Sequence, residues 1–157
     1  TRKGRMRLKY FSFGATSAIL TSMALIVGLG TGAEGKVALI TALLMIAIAD
    51  NISDSLGIHI HEEASQGEVP PRYVSVSNYL ARLLISLTFI GIVFAFSSIV
   101  AQVVALIWGT ALIVLLTSLI ARERHQPPVR EVLRHLAIAA LVLASSQALG
   151  YLIHRLV

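Results

Sequence analysis

The sequence contains no cysteine. This absence excludes a disulfide framework, a zinc or iron–sulfur site built on thiolates, and a cysteine nucleophile. Charged residues are also scarce, at 13% of 157 residues, about half the share found in an ordinary soluble domain. The chain is instead 56% hydrophobic, with a mean hydropathy of +0.81. We therefore expect an integral membrane protein, with a single transmembrane domain covering residues 1–157.

Several apolar runs are long enough to cross a bilayer, which requires roughly 20 mainly apolar residues in a helix. They are separated by a glycine-rich turn, a polar stretch containing Pro70 and Pro71, a very short junction, and a polar segment at residues 122–128. The alternating polarity of a membrane barrel is absent, which favours helices. The sequence thus predicts an all-α integral membrane protein with five transmembrane helices, at about 10–30, 36–60, 77–97, 100–121 and 130–154.

The basic residues predict the orientation. Eleven of the thirteen lysines and arginines lie in the N-terminal tail, around the connection between helices 2 and 3 (Arg72 and nearby Arg82), or around the connection between helices 4 and 5. Because basic residues concentrate on the cytoplasmic side, we expect a cytoplasmic N-terminus and a C-terminus outside, with Lys36 and Arg155 also outside. The net charge of +5 then needs no nucleic-acid partner, and we expect none. We also expect the first helix to be retained rather than cleaved as a signal peptide, in the cytoplasmic (inner) membrane of a prokaryote.

Acidic residues cluster at the end of the predicted second helix, where five of the eight lie between positions 50 and 68. Asp50 and Asp54 are one helical turn apart and share a face, and Asn51 adds a further oxygen. A carboxylate in a membrane helix is costly unless it is paired, hydrated or metal-bound, so such residues usually line a pathway. The alternative is that the helix has already reached the headgroups, where both aspartates are simply solvated.

A histidine-bearing stretch follows, with His59, His61, Glu62 and Glu63 at spacings that can chelate a divalent ion on a continuing helix. Imidazole combined with carboxylate suits Fe²⁺, Mn²⁺, Zn²⁺ or Co²⁺. An amphipathic, solvated helix end is the alternative interpretation. In the first helix, Ser17, Thr21, Ala24 and Gly28 form a narrow stripe of small and polar residues, which predicts close packing or a hydrated path. Ala140, Ala144 and Ala148 form a similar ridge in the fifth helix, for packing within one subunit or between two.

The stretch Ala49-Asp50-Asn-Ile-Ser53 and the segment from Arg130 through Gly150-Tyr-Leu-Ile resemble the vacuolar iron transporter family of divalent-metal transporters. The resemblance covers about residues 12–65 and 122–157. In this chain Asp50 stands at the family's usual glutamate, Ser17 where an Asp-Gly pair is usual, and Ile46 where methionine is usual. Only about 20 residues join helices 2 and 3, where the family's better-known members have a long glutamate-rich insertion. The resemblance implies a homodimer that moves Fe²⁺ or Mn²⁺ out of the cytosol in exchange for protons.

Two functional hypotheses follow. In the first, the chain is a divalent-metal transporter. Asp50, Asp54 and Asn51 bind the ion, Ser17 and Thr21 line its pathway, and the His59–Glu63 stretch captures it. In the second, the chain is a non-transporting membrane subunit that binds metal or anchors a partner protein. No phosphate loop, metalloprotease pair or nucleophile elbow is present, so we expect neither an enzyme nor a bound cofactor.

Overall fold

Long apolar runs, punctuated by proline and glycine, give a bundle of helices. A computed structural model of the chain describes residues 2–30, 35–65 and 69–156. The elements, in chain order, are α1 (Arg2–Leu29), α2 (Lys36–Met45), a π-helical turn (Ile46–Asp50), α3 (Asn51–Ser65), α4 (Pro71–Ala95), α5 (Ser98–Glu123) and α6 (Pro128–Leu156). No strand occurs within these described ranges.

Five helices of the described chain are long and apolar enough to cross a membrane. They are Phe11–Leu29 within α1, the continuous helix Lys36–Ser65 formed by α2, the π turn and α3, then Pro71–Ala95, Ile99–Glu123 and Pro128–Leu156. The all-α class and the number of apolar helices are therefore confirmed. The second helix is longer than predicted, and the third begins at Pro71 rather than near residue 77. Proline suits a first helical position because the amide hydrogen it lacks would have no helical partner there.

The first helix lies at the centre of the bundle, where α1 contacts α2, α4, α5 and α6. Half of the apolar stretch of α1 is buried inside the bundle, whereas only 6% of the apolar stretch of α6 is buried. Ile19, Met23 and Ile26 of α1 form the main apolar core together with Phe89 and Val93 of α4. The membrane-facing parts of such a bundle stay apolar, so the exposed leucines and isoleucines of α5 and α6 suit a lipid surround.

Small residues bring α1 and α6 together. A Cβ on Gly150 would overlap the backbone of Gly28, so these two helices approach as closely as the backbone allows. The Ser146 hydroxyl donates a hydrogen bond of 2.6 Å to the Ala24 carbonyl at the same crossing. One end of the predicted stripe on α1 therefore serves packing. The ridge of Ala140, Ala144 and Ala148 is exposed on α6 and is not covered by the described part of the chain.

A lysine contact shows how α2 and α4 are aligned. Lys36, the first residue of α2, donates from Nζ to the Phe94 carbonyl at 2.6 Å, and its ammonium lies 5.8 Å from the centre of the Phe94 ring. The start of α2 therefore lies beside the end of α4, and the two helices run antiparallel. Asp50 follows Lys36 by fourteen residues and Arg82 precedes Phe94 by twelve. Because both residues lie at similar distances along their helices from the Lys36–Phe94 contact, Asp50 and Arg82 lie side by side.

Candidate functional site

A buried arginine binds both aspartates of the second helix. The Arg82 guanidinium of α4 contacts Asp50 Oδ2 through Nη2 at 2.6 Å and Asp54 Oδ2 through Nη1. Its side chain is 3% exposed, whereas those of Asp50 and Asp54 are 50% and 43% exposed. The rigid, planar guanidinium presents several donors at once and can therefore bridge two carboxylates. The result is a cluster with one cation inside the bundle and two anions at its surface.

Each member of this cluster occupies its position for a local reason. Asp50 is the last residue of the π-helical turn and Asp54 lies in the first turn of α3. Both aspartates therefore lie on one face of the helix, as predicted, since both carboxylates contact the same guanidinium. Arg82 lies on the buried face of α4, along which Asn78 and Ser86 are also buried. This part of the interface between α1 and α4 is more polar than the apolar core further along the same two helices.

The first helix contacts the buried side of the cluster. The Ser17 hydroxyl accepts a hydrogen bond of 3.1 Å from Arg82 Nη1. Ser17 is thus in direct contact with the ion pair, as a partner of the arginine. The Thr21 hydroxyl donates to the Ser17 carbonyl at 2.8 Å, within its own helix. Thr21 therefore lies one turn away and does not contact the charged groups directly.

Two buried asparagines flank the ion pair. Asn51 Nδ2 donates to the Tyr79 carbonyl at 2.9 Å and to the Ala47 carbonyl at 3.3 Å, and so ties α3 to α4. Asn78 Nδ2 lies 3.5 Å from the Ser55 hydroxyl. The side-chain oxygens of both asparagines are buried and have no hydrogen-bond partner among the described residues. An unsatisfied buried acceptor is costly, and an amide oxygen is a good ligand for a hard cation.

A glycine of α1 makes room for this polar group. A Cβ built on Gly14 would lie 2.6 Å from Asn78 Oδ1, 2.8 Å from the Asn78 carbonyl and 3.1 Å from Arg82 Cγ. The unpartnered Asn78 oxygen and the stem of the arginine side chain therefore rest against the same glycine. Any larger residue would separate α1 from α4 at the level of the ion pair.

The histidine-bearing stretch lies further along α3. His59 and Glu62 are partly exposed, and His61 and Glu63 are exposed. In the part of the chain that the structure describes, no three or more His, Asp or Glu side chains come together in a metal-binding arrangement. The structure therefore leaves His59, His61, Glu62 and Glu63 on one helical extension without joining them to Asp50 and Asp54. Glu68, the last of the acidic group, lies outside the described residues.

Arg82 is the site residue that sequence analysis missed. We counted it among the residues that set topology, close to the connection between the second and third helices, whereas it is buried and paired with the two aspartates. A signal was available, because Arg82 falls inside the apolar run predicted at 77–97. A charged residue inside such a run requires a partner, and the aspartates of the neighbouring helix are the natural candidates.

Comparison of the chain with protein-family models, with curated proteins and with solved structures finds no match.

Proposed function

We propose that the chain is a membrane transporter that moves a divalent transition metal, Fe²⁺ or Mn²⁺, out of the cytosol. The observation that carries this proposal is the cluster of Arg82, Asp50 and Asp54, in which the carboxylates are about half exposed although they lie on a long apolar helix. Carboxylates facing lipid would be costly, so this side of the helix borders water or another protein surface. A polar path beside the carboxylates suits cation transport.

The depth of the cluster supports a transport role. With Lys36 at one membrane surface, Asp50 lies about 21 Å along the helix at a rise of about 1.5 Å per residue. The hydrocarbon core is about 30 Å thick, so Asp50 lies roughly two thirds of the way across. The solvated-headgroup alternative therefore applies better to the residues beyond Asp54 than to Asp50 itself.

The orientation proposed from the basic residues places the His59–Glu63 stretch on the cytosolic side. A metal ion arriving from the cytosol would meet His59, His61, Glu62 and Glu63 first and the paired aspartates next. Imidazole and carboxylate ligands suit Fe²⁺ and Mn²⁺, and the buried Asn51 oxygen, which has no partner among the described residues, would serve as a further ligand. The resemblance to vacuolar iron transporters adds proton exchange and a homodimer to this proposal.

The competing proposal is a non-transporting membrane subunit that binds metal or anchors a partner. One observation favours it, namely that Arg82 already neutralises much of the charge of both aspartates, as a structural ion pair would. The half-exposed carboxylates are also accessible to an ion from outside the bundle, which transport requires and a structural pair does not. A flux measurement separates the two functions.

The test is metal uptake into proteoliposomes containing the purified protein. We expect flux of Fe²⁺ or Mn²⁺ that falls at least tenfold in Asp50→Asn and in Asp54→Asn. Each substitution removes one anionic ligand and still leaves Arg82 a carboxylate partner, so the fold is expected to persist. Glu123→Gln, at the exposed end of α5, is the matched control and should transport normally. Absence of flux for Fe²⁺, Mn²⁺, Co²⁺ and Zn²⁺ in the unmodified protein would contradict the transporter proposal, and metal binding without flux would support the non-transporting subunit.

A further inference from the structure

We infer that Arg82 is an internal counter-cation, which occupies Asp50 and Asp54 in the absence of cargo and must move aside before a metal ion can bind. This inference rests on the proposed transport function and assigns a regulatory residue to the same site. Its starting point is that one buried guanidinium contacts both carboxylates that the metal would use. The guanidinium holds one oxygen, Oδ2, of each carboxylate. A divalent ion bound to the same carboxylates would lie close to this positive charge and be repelled by it, so the two cations compete for the aspartates.

The structure supplies acceptors for a displaced guanidinium. The Ser17 hydroxyl already accepts from Arg82 Nη1 at 3.1 Å. Asn78 lies one turn before Arg82 on the same face of α4, and its buried Oδ1 has no partner among the described residues. Gly14 holds that oxygen and the Arg82 stem against the same point of α1. A rotation of the side chain toward Asn78 would therefore exchange carboxylate acceptors for neutral ones and keep the guanidinium inside the bundle.

The exchange has a consequence for transport. With Arg82 on the aspartates, both carboxylates have a cationic partner and one of their two negative charges is balanced, so the empty site has a net charge of −1. With a divalent ion bound, its two positive charges balance the aspartates while Arg82 rests on Ser17 and Asn78. Arg82 thereby weakens cargo binding and speeds cargo release, because its return to the carboxylates drives the ion off. Affinity and turnover should therefore change in opposite directions when the arginine is removed.

The experiment compares equilibrium Mn²⁺ binding with Mn²⁺ flux in the same preparations. In Arg82→Gln we expect at least tenfold tighter binding and at least tenfold slower maximal flux. Arg82→Lys keeps one charge but cannot bridge both carboxylates, so its binding should tighten by a smaller factor. In Asn78→Ala the displaced guanidinium loses an acceptor, so binding should weaken several-fold. Ser86→Ala, at a buried polar position one turn beyond Arg82, is the matched control and should change neither quantity.

The outcomes distinguish this inference from the proposed function. If the unmodified protein transports no metal, the proposed function fails. If it does transport, and Arg82→Gln and Arg82→Lys bind Mn²⁺ no more tightly than the unmodified protein, the counter-cation role is wrong and Arg82 is structural. Size-exclusion profiles and helical circular dichroism identify misfolded variants, and Arg82→Lys decides the question if Arg82→Gln does not remain monodisperse.

Discussion

At the scale of single residues, Gly14 controls how closely α1 and α4 approach beside the ion pair. A Cβ there would come within 2.6 Å of Asn78 Oδ1 and 2.8 Å of the Asn78 carbonyl, and the latter is backbone that cannot rotate away. Forcing extra volume into such a contact costs about 1–3 kcal/mol. We therefore expect Gly14→Ala to lower the free energy of unfolding by that amount, measured by denaturant titration in detergent and followed by circular dichroism.

Gly91 provides the control for this prediction. It also lies in a long apolar helix, α4, but a Cβ there would meet nothing within 4 Å. Gly91→Ala should therefore leave the stability unchanged or raise it by about 0.5–1 kcal/mol, because alanine loses less backbone entropy in a helix than glycine. Equal stability changes in Gly14→Ala and Gly91→Ala would show that the Gly14 contact does not limit the packing of α1 against α4.

The sequence was sufficient to predict the shared face of the two aspartates but not their partner. The i, i+4 spacing of Asp50 and Asp54 was sufficient to place both carboxylates on one face, and their common contact with Arg82 confirms it. The identity of their partner depends on which part of α4 lies beside them. That alignment comes from tertiary contacts, among them the hydrogen bonds from Lys36 to the Phe94 carbonyl and from Asn51 to the Tyr79 carbonyl, and no local pattern encodes it.

At the scale of elements, α6 has an exposed ridge of small residues. Ser146 packs against α1, and Ala144 lies about 160° around the helix from it, at about 100° per residue. Ala140, Ala144 and Ala148 therefore face away from the rest of the chain, and all are exposed. Small-residue ridges let helix backbones approach closely, so this ridge suits the contact between two copies in the proposed homodimer.

Cysteine cross-linking tests this contact, since the chain has no cysteine of its own. In membranes, Ala144→Cys should form a disulfide-linked dimer on mild oxidation, visible as a doubled mass on a non-reducing gel. Leu149→Cys is the control, because Leu149 is also exposed (59%) but lies about 140° around α6 from Ala144. Equal cross-linking at both positions would indicate random collision rather than a dimer contact on the alanine ridge.

At the scale of the whole molecule, the apolar runs were sufficient to predict five helices because each is long enough to cross a membrane by itself. The arrangement of those helices was not predictable in the same way. The central place of α1 depends on contacts such as Gly28 against Gly150, which join residues far apart in sequence. The outward position of the alanine ridge follows from that same crossing.

The proposed orientation makes a prediction for the two short connections. Ser97, between α4 and α5, and Gln126, between α5 and α6, are both exposed and lie at opposite ends of α5. With a cytoplasmic N-terminus, Ser97→Cys should react with a membrane-impermeant maleimide added outside intact cells. Gln126→Cys should react only after permeabilisation. The reverse pattern would invert the topology and place the His59–Glu63 stretch outside.

The π-helical turn at Ile46–Asp50 changes which residues of the second helix share a face. Its i→i+5 hydrogen bonds enclose one residue more than an α-helical turn, so the turn is equivalent to a single-residue insertion in a continuous α-helix. Residues of α2 and α3 consequently lie on two helical wheels offset by about one residue, or 100°. Without this insertion, the face of α2 that packs against α1 and α4 would continue into a different face of α3. In a regular α-helix, positions four residues apart drift around the axis by about 40° per step, and the extra residue offsets this drift. Leu43, Ala47 and Asn51, spaced four residues apart across the turn, are therefore all buried.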